Sequence, residues 1–418
     1  MRDKKIKNIL IISVIGLIAL RIFFLFLIPY LPHLEQYKYN DYFSAIREGD
    51  EITYYSMAGM IYKFDFKEDA TMFGFPLMIV PFILIFGNDF SAIFFPLIIF
   101  NGVVLFSLTL ILIVWSSFLI FKKVFPAILS GFLFLIFPFI FYLFRNYGPQ
   151  FQAGAWNDIN FMNMNWLSAM ADGPAAFFAL LVLFLSLIAE RKRFGMFFYS
   201  LLGFVAGFSA MVRITNVVII LAAALVILSP AFLRGKPRRK DLNNARLSFQ
   251  QATWFSGKAG GLLSYFLSSI IGFLPQFVYN TVFFGSPFSF GYQKEYRVDW
   301  VAAGSAKGPA WSLDSFFHLF SRAADYSLLF IPAFLFIFGL VLLGFLYIKK
   351  LNKRHAFIAA LWFLPPTFIY MFFETGQTAM RYYMPAVPAF VILSVAALCV
   401  MFDWLKVKFF RDQINQGN

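Results

Sequence analysis

Residues 47–62 read REGDEITYYSMAGMIY and set two carboxylates, Asp50 and Glu51, side by side after the first apolar run of a very hydrophobic chain. On a helix each residue turns about 100°. Phe43, Ile46, Asp50, Tyr54, Met57 and Ile61 then fall within about 80° of one another. Asp50 lies in the middle of this apolar stripe, and Glu51 points about 100° away from it. Burial strips a carboxylate of hydration and raises its pKa. A base that works near neutral pH needs that property, so the pattern points to general-base chemistry. The plain alternative is an acid-rich surface loop.

Other ionisable side chains gather at the same depth. Arg21, Arg145, Asp172, Arg213, Glu374 and Arg381 all fall near the outer ends of apolar runs, and the centres of those runs are almost free of charge. Ionisable groups at membrane depth are functional candidates. Ion-coupled transporters need them near the midplane. Confinement to one boundary instead suggests a polar site at the outer interface, roofed by loops. Snorkelling of Arg21 and Arg145 is the competing explanation for those two.

The elements that must position these groups are membrane helices. Of 418 residues, 61% are hydrophobic and 13% charged, far from a soluble composition. Ten spans are expected, at about 8–29, 91–120, 124–144, 173–189, 195–212, 215–233, 260–279, 328–348, 356–373 and 384–402, several of them near the roughly 20 residues a bilayer requires. The first is too long for a cleaved signal and reads as an anchor. With both termini inside, the inner segments hold 23 Lys and Arg against 5 acids, and the outer side 12 against 16. The resulting +18 inside and −4 outside obey the positive-inside rule and sum to the net +14. RGKPRRK (234–240) is a topology signal near anionic lipid, not a nucleic-acid patch. The outer segments 30–90 and 280–327 are long, with 145–172 intermediate, and no segment suffices for a separate soluble domain. The chain is therefore read as one transmembrane domain, 1–418. MFGFPLMIVPFILIFG (72–87) is short for a span and contains Pro76 and Pro81, so it is expected to be interfacial or re-entrant. Cys399, the single cysteine, rules out an intrachain disulfide and a thiolate metal site.

In order along the chain come the anchor span, GDEITYY, FPLMIVPFILIFG, SAMADGPAAFFALLVLFL, GFVAGFSAMVRITN, YNTVFFGSPFSFGY and RYYMPAVPAF. This ordered set resembles the GT-C superfamily of membrane glycosyltransferases, in particular glycosyltransferase family 39 and its relatives, the protein O-mannosyltransferases and lipid A aminoarabinose transferases. The resemblance covers nearly the whole chain. It implies an all-α polytopic fold of about ten spans with interfacial helices in the first outer loop. It also implies transfer from a polyprenyl-phosphate-linked sugar at the outer face of the cell membrane, with inversion. Asp50 matches the family's first-loop catalytic acid and Glu51 its neighbour; Tyr54 follows in the same motif. Asp172 matches the Asp heading the fourth span. Arg381 with Tyr382 matches a late Arg-Tyr near the lipid phosphate, and Arg213 the basic residue after the Gly-rich span. Relatives often carry His or Lys before a Pro-Pro-Leu; here Gly74 and Phe75 precede a single Pro76. The large soluble C-terminal domain of many relatives has no counterpart.

The expected chemistry follows. Asp50 takes the proton of an acceptor hydroxyl as it attacks the anomeric carbon. Arg381, then Arg213 and Arg145, stabilise the leaving lipid phosphate. The partners are the polyprenyl-phosphate sugar, a lipid, glycan or protein acceptor, and membrane lipids. His33, His318 and His355 are scattered, so an obligatory zinc site is not expected, while a divalent metal through Glu51 or Asp172 stays open. A lipid-linked-glycan flippase or exporter is one alternative, and it would want a polar path through the span centres. A glycan polymerase or ligase using diphosphate-linked donors is another.

Overall fold

The computed structural model describes residues 2–28, 50–68, 72–147, 164–191, 194–233, 245–289, 330–371 and 383–416. Every regular element among them is helical. In chain order these are α1 (Arg2–Leu27), α2 (Asp50–Lys63), α3 (Gly74–Phe86), α4 (Phe90–Ile99), α5 (Phe106–Phe121), α6 (Val124–Tyr147), α7 (Asp172–Arg191), α8 (Met196–Val212), α9 (Val217–Leu233), α10 (Ala245–Phe284), α11 (Phe330–Leu351), α12 (Lys353–Met371) and α13 (Val387–Gln416). A π-helical stretch, Phe100–Leu105, fuses α4 to α5. Short 3-10 turns, Ile214–Asn216 and Met384–Ala386, precede α9 and α13.

A helix occupies each range expected to span. Five stretches among the described residues are long and apolar enough to cross a bilayer: Lys4–Leu27, Phe90–Phe121, Asp172–Ala189, Gly260–Phe284 and Met384–Val407. Their outward residues are large and apolar, for example Ile12, Ile15 and Phe23 on α1 and Leu267, Ile270 and Ile271 on α10. Lipid, not water, is the solvent such faces suit. Helix α3 is different. At 13 residues it is about 20 Å long, too short for a hydrocarbon core of about 30 Å. One boundary differs from expectation: α10 starts at Ala245 and runs for 40 residues, taking in half of the 234–258 loop. No proline lies between Ala245 and Lys258, so nothing in that stretch breaks the helix.

Two packing features hold the site end together. Helices α8 and α10 touch along Gly203 and Gly207, where an added Cβ would run into the backbone of Tyr265 and Ser269. Small residues four apart let membrane helices approach to main-chain contact and gain dispersion energy that larger side chains would forbid. The buried apolar residues then fall into one main core and two smaller ones under α2 and α3. Ala58 of α2 joins Phe75, Ile79 and Ala171 in one, and Met57 joins Met72, Met211 and Phe273 in the other. Helix α2 is therefore clamped between α3 on one side and the ends of α8 and α10 on the other.

Candidate functional site

The carboxylate that reaches the interior is Glu51. It is fully buried, and its Oε1 accepts a hydrogen bond from the Ala169 main-chain N–H at 2.8 Å. This corrects the expectation that Glu51 points away from the packed face. The buried arc of α2 is wider than the apolar stripe. Met57 and Ala58 are both fully buried, and Tyr54 is half-buried with its ring edge-on to Phe75 at 5.2 Å. Ala58 shares one buried cluster with Ala169 and Ala171, so the segment carrying those two residues packs against α2. Asp50 is the first residue of α2, and its side chain lies outside the described residues. On the solvent side of α2, the Tyr55 hydroxyl donates to Asn88 Oδ1 at 3.1 Å. Burial, and then the Asp89 carboxylate, push the Tyr55 phenol up, so it remains a neutral donor.

Asp172 and Arg213 form an ion pair. Asp172 opens α7 and is 4% exposed, where the positive end of the helix dipole favours an anion. Arg213 lies where α8 ends. Its extended backbone (φ −151°, ψ 121°) breaks the helix before the Ile214–Asn216 turn, and that break returns the guanidinium to Asp172. Asn216 secures the turn, its Nδ2 donating to Ala175 O at 3.1 Å and Ser209 Oγ at 3.0 Å.

Between Glu51 and Asp172 runs the segment 164–171, which a row of buried polar groups holds in place. Arg21 of α1 is fully buried. It donates from Nη1 to Asn165 Oδ1 at 2.8 Å, from Nη2 to the Asn165 carbonyl, and from Nε and Nη2 to the Gly102 carbonyl at 3.2 and 3.1 Å. Its guanidinium lies 3.9 Å from the Phe106 ring centroid. Snorkelling, the competing explanation for Arg21, is thereby overturned. Asn101, in the π-helical stretch, donates to Ser168 O at 3.0 Å. Trp166 adopts φ 61°, a left-handed conformation that a bulky residue rarely takes. Its ring occupies the place where a Cβ on Gly173 would otherwise stand. Arg21, Glu51, Asn101, Asp172, Arg213 and Asn216 thus share one end of the bundle.

Gly74, where the sequence resemblance leads to the expectation of a basic residue, has a steric explanation. A Cβ at Gly74 would overlap the backbone of Met211 and Val212, so α3 begins in direct contact with the end of α8. Upstream of it, Phe73 N–H donates to Gln276 Oε1 at 2.8 Å, and Gln276 donates to Asn280 at 2.8 Å.

Several expected residues lie outside the described ones: Arg381, Tyr382 and Glu374 wholly, and Arg145 in its side chain, within α6. Asn101, Asn165, Ser168 and Asn216 were missed. The available signal was an amide inside apolar runs, as in IIFNGVVL and VRITNVVI, and attention to ionisable groups alone passes over it. A divalent metal would need a ligand set that Glu51 and Asp172 begin. Among the described residues no three of His, Cys, Asp and Glu come together to hold one. Asp172 already faces a guanidinium, and Glu51 accepts a main-chain N–H. Among the described residues, Glu51 and Asp172 do not by themselves make a metal site.

No family model and no curated protein sequence matches the chain. Solved structures do. The archaeal oligosaccharyltransferase AglB from Archaeoglobus fulgidus, in complex with an inhibitory peptide and a dolichol-phosphate, superposes with a TM-score of 0.53 at 16% identity. The match covers 99% of this chain and 52% of that one. The Archaeoglobus fulgidus oligosaccharyltransferase in its apo form gives 0.50 at 15% identity, over 98% and 52%. The chain spans about half the length of these neighbours. At such identities the likeness concerns the fold alone.

Proposed function

We propose that this chain transfers a sugar from a polyprenyl-phosphate-linked donor to an acceptor hydroxyl at the outer face of the cell membrane, with inversion. The observation that carries the reading is the buried link from Glu51 to Ala169, three residues before Asp172. It fixes the first turn of α2 against the head of α7, at the end of the bundle where the Asp172–Arg213 pair lies. A neighbour in fold was solved with a dolichol-phosphate and a peptide, which supports a lipid-linked donor here. The finer placement near glycosyltransferase family 39 rests on the ordered motifs.

Glu51 is enclosed, so it serves to position α2. Asp50, at the first position of that helix, is the general base. As the acceptor oxygen forms its bond to the anomeric carbon, the bond from that carbon to the phosphate oxygen breaks. The acceptor's proton goes to Asp50, and the carrier leaves as a polyprenyl monophosphate. Arg381, beside Tyr382, meets the developing phosphate charge, with Arg145 in support. Arg213, largely committed to Asp172, contributes through the field of the pair. Tyr54 lines the α2–α3 face.

The test is incubation of the purified protein with labelled polyprenyl-phosphate sugars and candidate acceptors, with products read by mass spectrometry. The expected result is an acceptor heavier by one sugar. Absence of transfer from every donor, with the protein folded, contradicts the reading.

A further inference from the structure

The geometry points to Arg21 as a positioning residue: from within the first span it pins segment 164–171, and so fixes both the Ala169 amide that holds Glu51 and the start of α7 that carries Asp172. For its functional consequence this rests on the transfer reading above; for its geometry it does not.

The placement of Arg21 is unusual for a merely tolerated side chain. A guanidinium removed from water and lipid alike is expensive, and a well-packed apolar residue of similar volume is often as stable or more so. Methionine would fill the same slot against Phe106. Among the described residues no carboxylate pairs with Arg21; its partners are oxygens of Gly102 and Asn165. Those oxygens belong to chain segments 81 and 144 residues away. The planar fork of arginine serves this arrangement, because several donors in fixed directions can hold two segments at once, which a lysine ammonium cannot.

Both segments lead to the site. Gly102 follows Asn101, which donates to Ser168 O. Asn165 begins the run that passes Ala169 N–H, the donor to Glu51, and ends at Asp172. Between the two pins Trp166 is held at φ 61°. A bulky residue stays in the left-handed region only where its surroundings over-determine it. With the Arg21 contacts weakened, Trp166 is free to return to negative φ, and Ala169 and Asp172 move with it. Misplacement of catalytic groups by about 1 Å can cost roughly a hundredfold in rate.

Two variants test this, Arg21→Lys and Asn165→Ala, measured against wild type in the full chain. Hydrogen exchange of the amides in 166–171 reads the pinning itself, and folding is checked by thermal melt. Arg21→Lys is expected to speed exchange in that segment at least tenfold while exchange in α11 and α13 stays unchanged; Asn165→Ala should do so to a smaller degree. In the transfer assay Arg21→Lys is expected to lower kcat by roughly 10–100-fold with the donor KM within about threefold. Wild-type exchange in Arg21→Lys, or faster exchange with unchanged kcat, overturns the positioning role. Inactivity of the wild-type protein with every donor sinks the transfer reading alone, since exchange still decides whether Arg21 pins the segment.

Discussion

Asp50 and Glu51 are neighbours in the chain, and a carboxylate's role follows its surroundings. Glu51 is fully enclosed and accepts the Ala169 N–H. Glu51→Gln keeps an acceptor oxygen for that amide, so its effect on turnover is expected to be small. Asp50→Asn keeps the size but removes the basic group. It is expected to lower turnover by about 10²–10⁴ while the protein still folds and binds donor. Parallel turnover and melting measurements on both variants check this; a live Asp50→Asn beside a dead Glu51→Gln would reverse the assignment. The phosphate contact is separable. Arg381→Ala is expected to weaken donor binding by about 1.5–3 kcal/mol, the worth of a hydrogen bond to a charged group. Arg381→Lys should recover only part of it, because lysine is a point charge where arginine is a fork. Binding of a labelled donor measures it, and wild-type affinity in Arg381→Ala would make the residue structural.

At the scale of elements, the device that brings distant residues together is the broken helix. The extended residue Arg213 separates α8 from α9, and its side chain meets the first residue of α7. Removing one partner of a buried ion pair strands the other charge, at about 3–5 kcal/mol. Arg213→Met or Asp172→Asn alone is expected to destabilise by that order, and the double variant by clearly less than the sum. Thermal melts of the three variants decide it; additive losses would mean the pair is not coupled. The helices themselves were legible in the sequence, because runs of apolar residues between basic and polar breaks leave little else for a membrane chain to form. The Gly-rich α8 was legible as well, and its packing on α10 at Gly203 and Gly207 is what small residues four apart suggest. The pinning of segment 164–171 was not. It depends on Asn101, Asn165 and backbone carbonyls at long sequence separation, and no local period encodes such contacts. Glu51 was misplaced for a related reason. A stripe drawn from apolar residues alone omits a buried carboxylate whose partner is a main-chain amide on another segment.

At the scale of the whole molecule, we propose that charge asymmetry orients the bundle: by the positive-inside rule, +18 inside and −4 outside put both termini in the cytoplasm and the Glu51–Asp172 end outside. In a protein with Cys399 replaced, a cysteine at Ser248 is expected to be inaccessible to an impermeant label added outside intact cells; labelling there would invert the topology. The central claim is group transfer at that outer end, and the most direct measurement takes both products of one reaction. Wild-type protein is incubated with a polyprenyl-phosphate sugar of known anomeric configuration and its acceptor. The new linkage is then assigned by NMR and the released carrier weighed by mass spectrometry. The account predicts an inverted linkage and a polyprenyl monophosphate. A retained linkage, or transfer only from a diphosphate-linked donor, would contradict it.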